Sequence, residues 1–225
     1  MYSNTIAKIA NAKGVQMQYE KIEESLEACN NIVLLSGKIT EVNNMNEQCL
    51  YDLIVSVDRL SGMQDNIPVI LSEELKNLKL YTGQMVNIKG SFTSFNKIID
   101  NRSKLILTVH ATEVYENTDI NHENPNTIDL IGFICKTPIY RTTPFNREIA
   151  DLLLAVNRAV NKSDYIPAIA WGKNARFAKN LLVGEKVLIN GRIQSREYQK
   201  RLDDGTAETR IAYEVSINSI NRLDS

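Results

Sequence analysis

Two stretches of the sequence place aromatic rings on one face of a β-strand, and the second of them interleaves its ring with cationic side chains. In the first, Tyr165 and Trp171 have the same parity, so they lie on one face of an extended strand. In the second, one alternating face consists of Arg192, Gln194, Arg196 and Tyr198. Aromatic faces stack on nucleobases and arginines pair with phosphates. This combination is therefore typical of surfaces that hold single-stranded nucleic acid.

Motifs for catalysis or metal binding are missing from the sequence. The strings SGKIT and WGKNA lack the upstream glycine of a phosphate-binding loop, and no HExxH string occurs. The chain has only two histidines, His110 and His122, and neither belongs to a motif. Its three cysteines lie far apart, with no CxxC pair. We therefore expect no enzyme activity, no bound metal and no cofactor.

Charge is divided unevenly along the 225 residues, although the net charge is only −1. Residues 1–125 carry a net charge of −5 and residues 126–225 one of +4, which points to an anionic partner for the second half. No apolar run approaches the roughly 18 residues of a membrane span. The N-terminus has no apolar signal segment either. A cytoplasmic protein without a membrane partner is expected.

The elements that must position these side chains occur twice in the chain. The segment VSVDRLSGMQDNIPVILS (55–72) matches LAVNRAVNKSDYIPAIAW (154–171) at an offset of 99 residues. A block upstream matches at an offset of 95, and two blocks downstream match at 101 and 106. Because the offset changes only between blocks, the pattern indicates a duplication followed by loop insertions.

The duplication predicts the domain organisation. We expect an N-terminal extension that is helical or disordered (1–30), a first domain (31–115), a polar linker (116–125) and a second domain (126–223). Alternating and β-branched runs predict five strands in the second domain, at 126–135, 148–158, 165–171, 186–198 and 208–221.

A helical segment is predicted between the third and fourth strands of each repeat, at 72–80 and at 173–182. Three strands, a helix and two strands in about 90 residues is the order of an OB-fold, a five-stranded Greek-key barrel. The expected fold class is therefore all-β, with two tandem OB-folds. Gly90 and Gly191 fall in the middle of strands, where a small barrel has to bend.

The segment 152–198 closely resembles the bacterial single-stranded DNA-binding proteins. The matching elements are the strings LAVNR, D-x-I-P-x-x-A-W-G-K, V-G-E-K-V-L-I-N-G-R and Q-S-R-x-Y. In the first repeat the resemblance comes mainly through the duplication. It implies single-stranded DNA binding without sequence preference, in replication, repair or recombination, and a place at the nucleoid.

The resemblance also implies roles for individual residues. Base stacking is expected at Tyr165, Trp171 and Tyr198, which match stacking positions of the family. Tyr140 and Arg141 fall in a segment that often contacts DNA, but in the reverse of the usual order. The phosphate-binding candidates are Arg141, Lys173, Arg176, Arg192, Arg196, Lys200 and Arg201. The alternative for Tyr140 is a place in the barrel core or rim, and for Trp171 a place in the core against the helix.

The first repeat lacks aromatic residues at the matching positions. The offsets place Asn66, Ser72 and Lys97 where the second repeat has Tyr165, Trp171 and Tyr198. We therefore expect a degenerate first OB-fold that serves in dimerisation or partner docking. Relatives with two OB-folds per chain form dimers, which implies a homodimer, and replication or repair proteins are candidate partners.

Two other functions are compatible with the same fold. One is an adaptor that acts mainly through protein contacts, like the primosomal replication proteins related to this family. The other is an RNA-binding OB-fold, because stacking does not by itself distinguish ribose from deoxyribose. The adaptor differs from a strand-binding protein in whether Trp171 and Tyr198 contact bases.

Overall fold

β-Strands dominate a computed structural model of the chain, which describes residues 30–43, 50–99, 102–116, 124–158, 162–201 and 205–223. The predicted N-terminal extension and most of the predicted linker lie outside these residues. The strands of the first repeat are β1 (Asn31–Val42), β2 (Leu53–Asp58), β3 (Gln64–Leu71), β4 (Met85–Ile99) and β5 (Arg102–Glu116).

The second repeat has the same elements and one more. Its strands are β6 (Asn126–Ile134), β7 (Ile139–Thr142), β8 (Glu148–Arg158), β9 (Lys162–Trp171), β10 (Lys186–Arg201) and β11 (Ala207–Arg222). Helix α1 (Lys173–Ala178) lies between β9 and β10. The five predicted strands correspond to β6, β8, β9, β10 and β11, and β7 was not predicted. With four residues, β7 is too short for its burial to show the alternation by which strands are recognised.

Each repeat closes into a five-stranded barrel. In the first, β1 pairs with β2 and β4, β2 pairs with β3, and β4 pairs with β5, all antiparallel. A parallel pairing of β3 with β5 completes the ring. In the second repeat, β6, β8, β9, β11 and β10 close in the same order, with β9 parallel to β11. The predicted pair of tandem OB-folds is confirmed.

The barrel interiors contain the aliphatic side chains of alternate strand positions. In β6 the side chains of Ile128 and Leu130 are almost completely buried, whereas Thr127 and Asp129 are only partly covered. Phe92 of β4 and Ile193 of β10 hold equivalent core positions in the two repeats. Alternation of this kind fixes the register, because a shift by one residue would turn the core side chains outward.

Gly90 and Gly191 lie where the long strands β4 and β10 bend. The ladder between β4 and β5 shifts register between Lys89 and Gly90, and the ladder between β10 and β11 shifts next to Gly191. A Cβ atom at Gly191 would overlap the carbonyl oxygen of Ser216, and one at Gly90 that of His110. Both positions therefore require glycine, as expected for bulges that curve a small barrel.

The helical segments are shorter than the sequence predicts. Between β3 and β4 the chain makes one 3₁₀ turn, Glu73–Leu75, instead of a helix over 72–80. Leu75 and Leu80 both pack on the core, but their separation of five residues does not put them on one helix face. Helix α1 ends at Ala178 rather than at residue 182, and 3₁₀-type bonds continue the turn to Leu181.

The two barrels join through an antiparallel pairing of β1 with β6. Asn31 lies opposite Leu130, Val33 opposite Ile128, and Leu35 opposite Asn126. Since equivalent residues in these strands are 95 positions apart, the pairing has a local pseudo-twofold axis between Val33 and Ile128. The result is one 11-stranded sheet that runs through both repeats.

Candidate nucleic-acid interface

The three aromatic side chains predicted to stack on bases are all accessible to solvent. Tyr165 is 45% exposed, Trp171 at the end of β9 is 38% exposed, and Tyr198 on β10 is 37% exposed. The alternative of a core position for Trp171 therefore does not agree with the structure. A ring on a rigid strand is already held in place, so binding removes little further conformational freedom from it. This favours stacking on a ligand.

Arg196 contacts one of these rings and lines the same groove as another. Its guanidinium carbon is 5.9 Å from the centre of the Tyr198 ring, close enough for a cation–π contact. The same side chain helps to line a groove that contains Trp171. Its Nε atom is 3.8 Å from Glu214, and the arginine side chain remains 59% exposed. A cation in contact with one exposed aromatic ring and in a groove with a second is the arrangement expected of a surface that follows a nucleic-acid strand.

Tyr140 occupies a different environment from the three exposed rings. It packs against the core, and its hydroxyl donates a hydrogen bond to Glu148. That bond raises the pKa of Tyr140 and is the largest cause of a lowered pKa at Glu148. Lys179 Nζ lies 5.1 Å from the centre of the ring. A cation covers this ring, and its hydroxyl is already hydrogen-bonded. The geometry of Tyr140 therefore matches the alternative prediction, a place at the barrel rim, rather than a ring open to a base.

The remaining cationic candidates divide by their partners. Arg141 pairs with Asp151 at 3.0 Å, and Arg176 pairs with Glu148 beside Tyr140. Exposed pairs of this kind contribute about 1 kcal/mol or less, so a phosphate can replace the carboxylate at low cost. The side chains of Lys173, at the start of α1, and of Arg201, at the end of β10, are exposed, and that of Lys200 is half-buried.

Arg192 differs from the other candidates because its charge is already paired below the surface. Its Nη1 atom is 3.0 Å from Asp65 Oδ2, and its Nη2 atom donates to Gln194 at 3.2 Å. The arginine side chain is 30% exposed and the aspartate side chain 1%. Burial lowers the pKa of Arg192, an effect that the charge of Asp65 opposes. The structure therefore places Arg192 in contact with the first repeat and not on the open cationic face.

The buried carboxylates Asp65 and Asp164 were not identified from the sequence as functional. Asp65 receives hydrogen bonds from Arg59 and from the Ser195 amide of the other repeat, and Asp164 receives them from Arg158 and from the Ser94 amide. Each repeat thus presents one arginine–aspartate pair to a backbone amide of the other. The signal was available, because both pairs recur at the offset of 99 residues.

Neither a metal centre nor a membrane span is found in the described part of the chain. Among residues 30–43, 50–99, 102–116, 124–158, 162–201 and 205–223, no three His, Cys, Asp or Glu side chains form a group that could hold a metal ion. Over the same ranges, every helix is too short or too polar to cross a lipid bilayer.

Comparison with known proteins gives consistent results for sequence and fold. Residues 125–223 match the model of the single-strand binding protein family. A single-stranded DNA-binding protein of Clostridium tetani is 34% identical over 106 residues, which are 44% of this chain and 70% of that protein. The single-stranded DNA-binding protein 3 of Clostridium acetobutylicum is 36% identical over 88 residues, which cover 36% of this chain and 60% of its own length.

A solved structure resembles most of the chain. The wild-type single-stranded DNA binding protein from Thermus aquaticus superposes with a TM-score of 0.63 at 21% sequence identity. The match covers 87% of this chain and 93% of that one, so it extends over both repeats. At this identity, the similarity establishes the shared fold.

Proposed function

The chain belongs to the single-strand binding protein family, and from this premise we propose that it binds single-stranded DNA without sequence preference. Bases stack on exposed aromatic side chains of the second repeat, and phosphates pair with the cations between and beside them. The protein does not act as an enzyme. Its place is the replication, repair or recombination of DNA, in the cytoplasm at the nucleoid.

The observation that carries this proposal is that Arg196 contacts the Tyr198 ring and lines the same groove as Trp171. The two rings are exposed, and the arginine that is in contact with Tyr198 also borders the groove of Trp171. A strand that stacks one base on each ring passes its backbone over the guanidinium, where a phosphate is neutralised. Lys173, Lys200 and Arg201 extend the cationic path, and Arg141 and Arg176 exchange a surface carboxylate for a phosphate.

The two repeats contribute unequally to this binding. Asn66, Ser72 and Lys97 of the first repeat replace the three rings of the second. Each stacked base contributes roughly 1–3 kcal/mol, so the second repeat (126–223) provides most of the affinity that does not depend on charge. The first repeat (31–115) is the degenerate OB-fold, and its outer sheet surface serves in assembly.

That assembly is a homodimer. A depression of about 400 Å³ beside the β1–β6 junction is lined by Leu34 and Tyr115 of the first repeat and by Thr127 of the second. Leu34 is 49% exposed and Tyr115 is 58% exposed. A twofold contact would bring two copies of this surface together and cover both side chains. Replication and repair proteins are the further partners that a strand-binding protein of this kind would meet.

Titration with oligo-dT tests the function directly, because Trp171 is the only tryptophan in the chain. We expect strong quenching of its fluorescence when oligo-dT is added. The binding constant should fall steeply as salt is raised, because phosphate contacts release counterions. The variant Tyr198→Ala should bind more weakly while its tryptophan signal in the free protein stays the same.

The same titration separates the alternative functions. An adaptor that acts through protein contacts would stay fluorescent at every oligo-dT concentration, and this result would contradict the proposal. An RNA-binding protein would prefer oligo-rU to oligo-dT of equal length, because contacts to the 2′-hydroxyl distinguish the two. Weaker binding of oligo-rU than of oligo-dT supports DNA as the ligand.

A further inference from the structure

The contacts between the repeats bring residues of the first barrel next to Trp171. The buried side chain of Asp65 accepts a hydrogen bond from the Ser195 amide at 2.7 Å, and Arg59 donates to the Ser195 carbonyl at 3.1 Å. The backbone amide of Asn66 faces the Ser195 hydroxyl at 3.4 Å. Strand β3 is thereby fixed beside β10.

A groove of about 630 Å³ lies at this junction, and we name it the inter-repeat groove. Met63, Gln64 and Asn66 line it from the first repeat. From the second repeat, its lining includes Trp171, Arg196 and Ile211. Its size is within the range of sites that hold small organic molecules. Met63 is 61% exposed and Ile211 is 50% exposed, so apolar surface on both walls is open to a ligand.

The chemistry of the groove suits a base with a phosphate beside it. Arg59 is bound to Asp65 and Glu197 adds a negative charge to the lining, so Arg196, which is 59% exposed, is the lining cation that remains for the phosphate. Beyond this cation the groove offers an indole ring, a thioether and carboxamide groups. A nucleobase has the complementary chemistry, with two apolar faces and an edge of hydrogen-bond donors and acceptors.

We infer that the inter-repeat groove binds one unpaired nucleobase, whose face stacks on Trp171 while Met63 contacts it from the wall of the first repeat. The side-chain amide of Asn66 hydrogen-bonds to its edge, and Gln64, whose Nε2 already donates to Asp58 at 2.9 Å, adds a carbonyl oxygen. The Asn66 amide can donate and accept, so it suits every base, in keeping with binding that has no sequence preference. This inference rests on the proposed function and gives the first repeat a direct part in it.

The local pseudo-twofold axis explains why a repeat without aromatic platforms still contributes. The axis relates Asn66 to Tyr165, and the Tyr165 amide accordingly lies 2.8 Å from the Ser94 hydroxyl of the first repeat. Each of the two junctions therefore receives one ring from the second repeat, Trp171 at one and Tyr165 at the other. At the Trp171 junction, Asn66 stands where a second copy of the second repeat would offer Tyr165.

The test compares Met63→Ala with Leu60→Ala in the full chain. Leu60 belongs to the same β2–β3 loop and is 91% exposed, but it does not line the inter-repeat groove. We expect Met63→Ala to weaken oligo-dT binding by roughly three- to tenfold, at low and at high salt alike, because an apolar contact to a base releases no counterion. Leu60→Ala should bind within about twofold of the original chain.

Photocrosslinking locates the base independently of affinity. Oligo-dT that carries 5-iododeoxyuridine is irradiated with the full chain, and adducts are mapped after trypsin digestion. An adduct on the peptide 60–76, which contains Met63, Gln64 and Asn66, supports the inference. The Leu60→Ala variant should give the same adduct, and Met63→Ala should give less of it.

The outcomes separate this inference from the proposed function. If the original chain binds oligo-dT, but Met63→Ala binds equally well and all adducts lie in the second repeat, the inference is wrong and the function stands. If the original chain leaves oligo-dT unbound and Trp171 fluorescence unchanged, both are wrong. If Met63→Ala unfolds at the same temperature as the original chain, its weaker affinity does not come from loss of the fold.

Discussion

The carboxylate of Asp65 in the first repeat lies 2.7 Å from the backbone amide of Ser195 in the second and accepts a hydrogen bond from it. Two arginines neutralise this buried carboxylate. Arg59 of the first repeat has its Nη2 atom 2.5 Å from Oδ1, and Arg192 of the second has its Nη1 atom 3.0 Å from Oδ2. A charge that is taken out of water requires such partners, because it would otherwise be strongly destabilising. Asp65 therefore holds the two barrels in a fixed relation, and the inter-repeat groove depends on it.

Replacing Asp65 by asparagine should destabilise the chain substantially. Asp65→Asn leaves two arginines without their carboxylate, and breaking a buried pair in this way costs about 3–5 kcal/mol. We expect the free energy of unfolding in urea to fall by this amount. The control is Asp151→Asn, whose pair with Arg141 is exposed and should contribute about 1 kcal/mol or less. Equal midpoints for the two variants would contradict a role of Asp65 in joining the repeats.

Arg196 and Arg192 should respond differently to mutation, although both were predicted from the sequence to bind phosphate. We expect Arg196→Ala to reduce the slope of log K against log salt for oligo-dT by about 0.7, the effect of one lost phosphate contact to a single strand. Arg192→Ala should leave this slope unchanged and lower the free energy of unfolding, because its partner is the buried Asp65. A reduced slope for Arg192→Ala would assign it to phosphate after all.

Tyr213 should make the chain less stable at alkaline pH. Burial, with a smaller effect from Tyr51, raises the pKa of Tyr213 to about 12, compared with about 10 in an unfolded chain. Below pH 10 the phenol is neutral in both states and has no effect. Between about pH 10 and 12 the unfolded state loses its proton first, so stability falls.

The variant Tyr213→Phe isolates this contribution. Its free energy of unfolding should fall less steeply with pH over this interval than that of the original chain. The matched variant Tyr81→Phe controls for the loss of a phenol at a side chain that is 62% exposed. Identical curves for all three proteins would show that Tyr213 ionises in the fold as it does in water.

Leu34→Glu should convert the proposed dimer to a monomer. A carboxylate in the depression that contains Leu34 and Tyr115 would be buried between two copies without a partner, which costs far more than the lost apolar contact. Sedimentation equilibrium should give one chain for this variant and two for the original protein. Leu105→Glu is the control, because Leu105 is 42% exposed but lies ten residues along β5 from Tyr115. A monomeric original chain would contradict the homodimer.

The duplication and the order of strands could be predicted from the sequence because both are written in local patterns. Alternation identified five strands of the second repeat, and the mid-strand positions of Gly90 and Gly191 indicated the bulges. The short strand β7 escaped prediction because it is not long enough to show a period, and the helix predicted over 72–80 is only the 3₁₀ turn Glu73–Leu75.

The site was only partly predictable for a different reason. The exposed positions of Tyr165, Trp171 and Tyr198 follow from strand parity together with the family resemblance. The partners of Arg192 and the lining of the inter-repeat groove cannot be derived in this way, because they depend on how β1 pairs with β6. Asp65 and Ser195 are 130 residues apart in the sequence, and nothing in either local pattern indicates that they meet.

The pairing of β1 with β6 also has an evolutionary consequence. In a dimer of identical chains, every substitution changes both halves of the interface at once, so symmetry is imposed on each step. Here the two halves are encoded separately and can diverge. Arg192 shows the result: it gives Asp65 a second cation, whereas the equivalent position in the first repeat is Ser91 and cannot do the same for Asp164. Two barrels joined in one chain can in this way acquire different interface residues, which two barrels of identical sequence cannot.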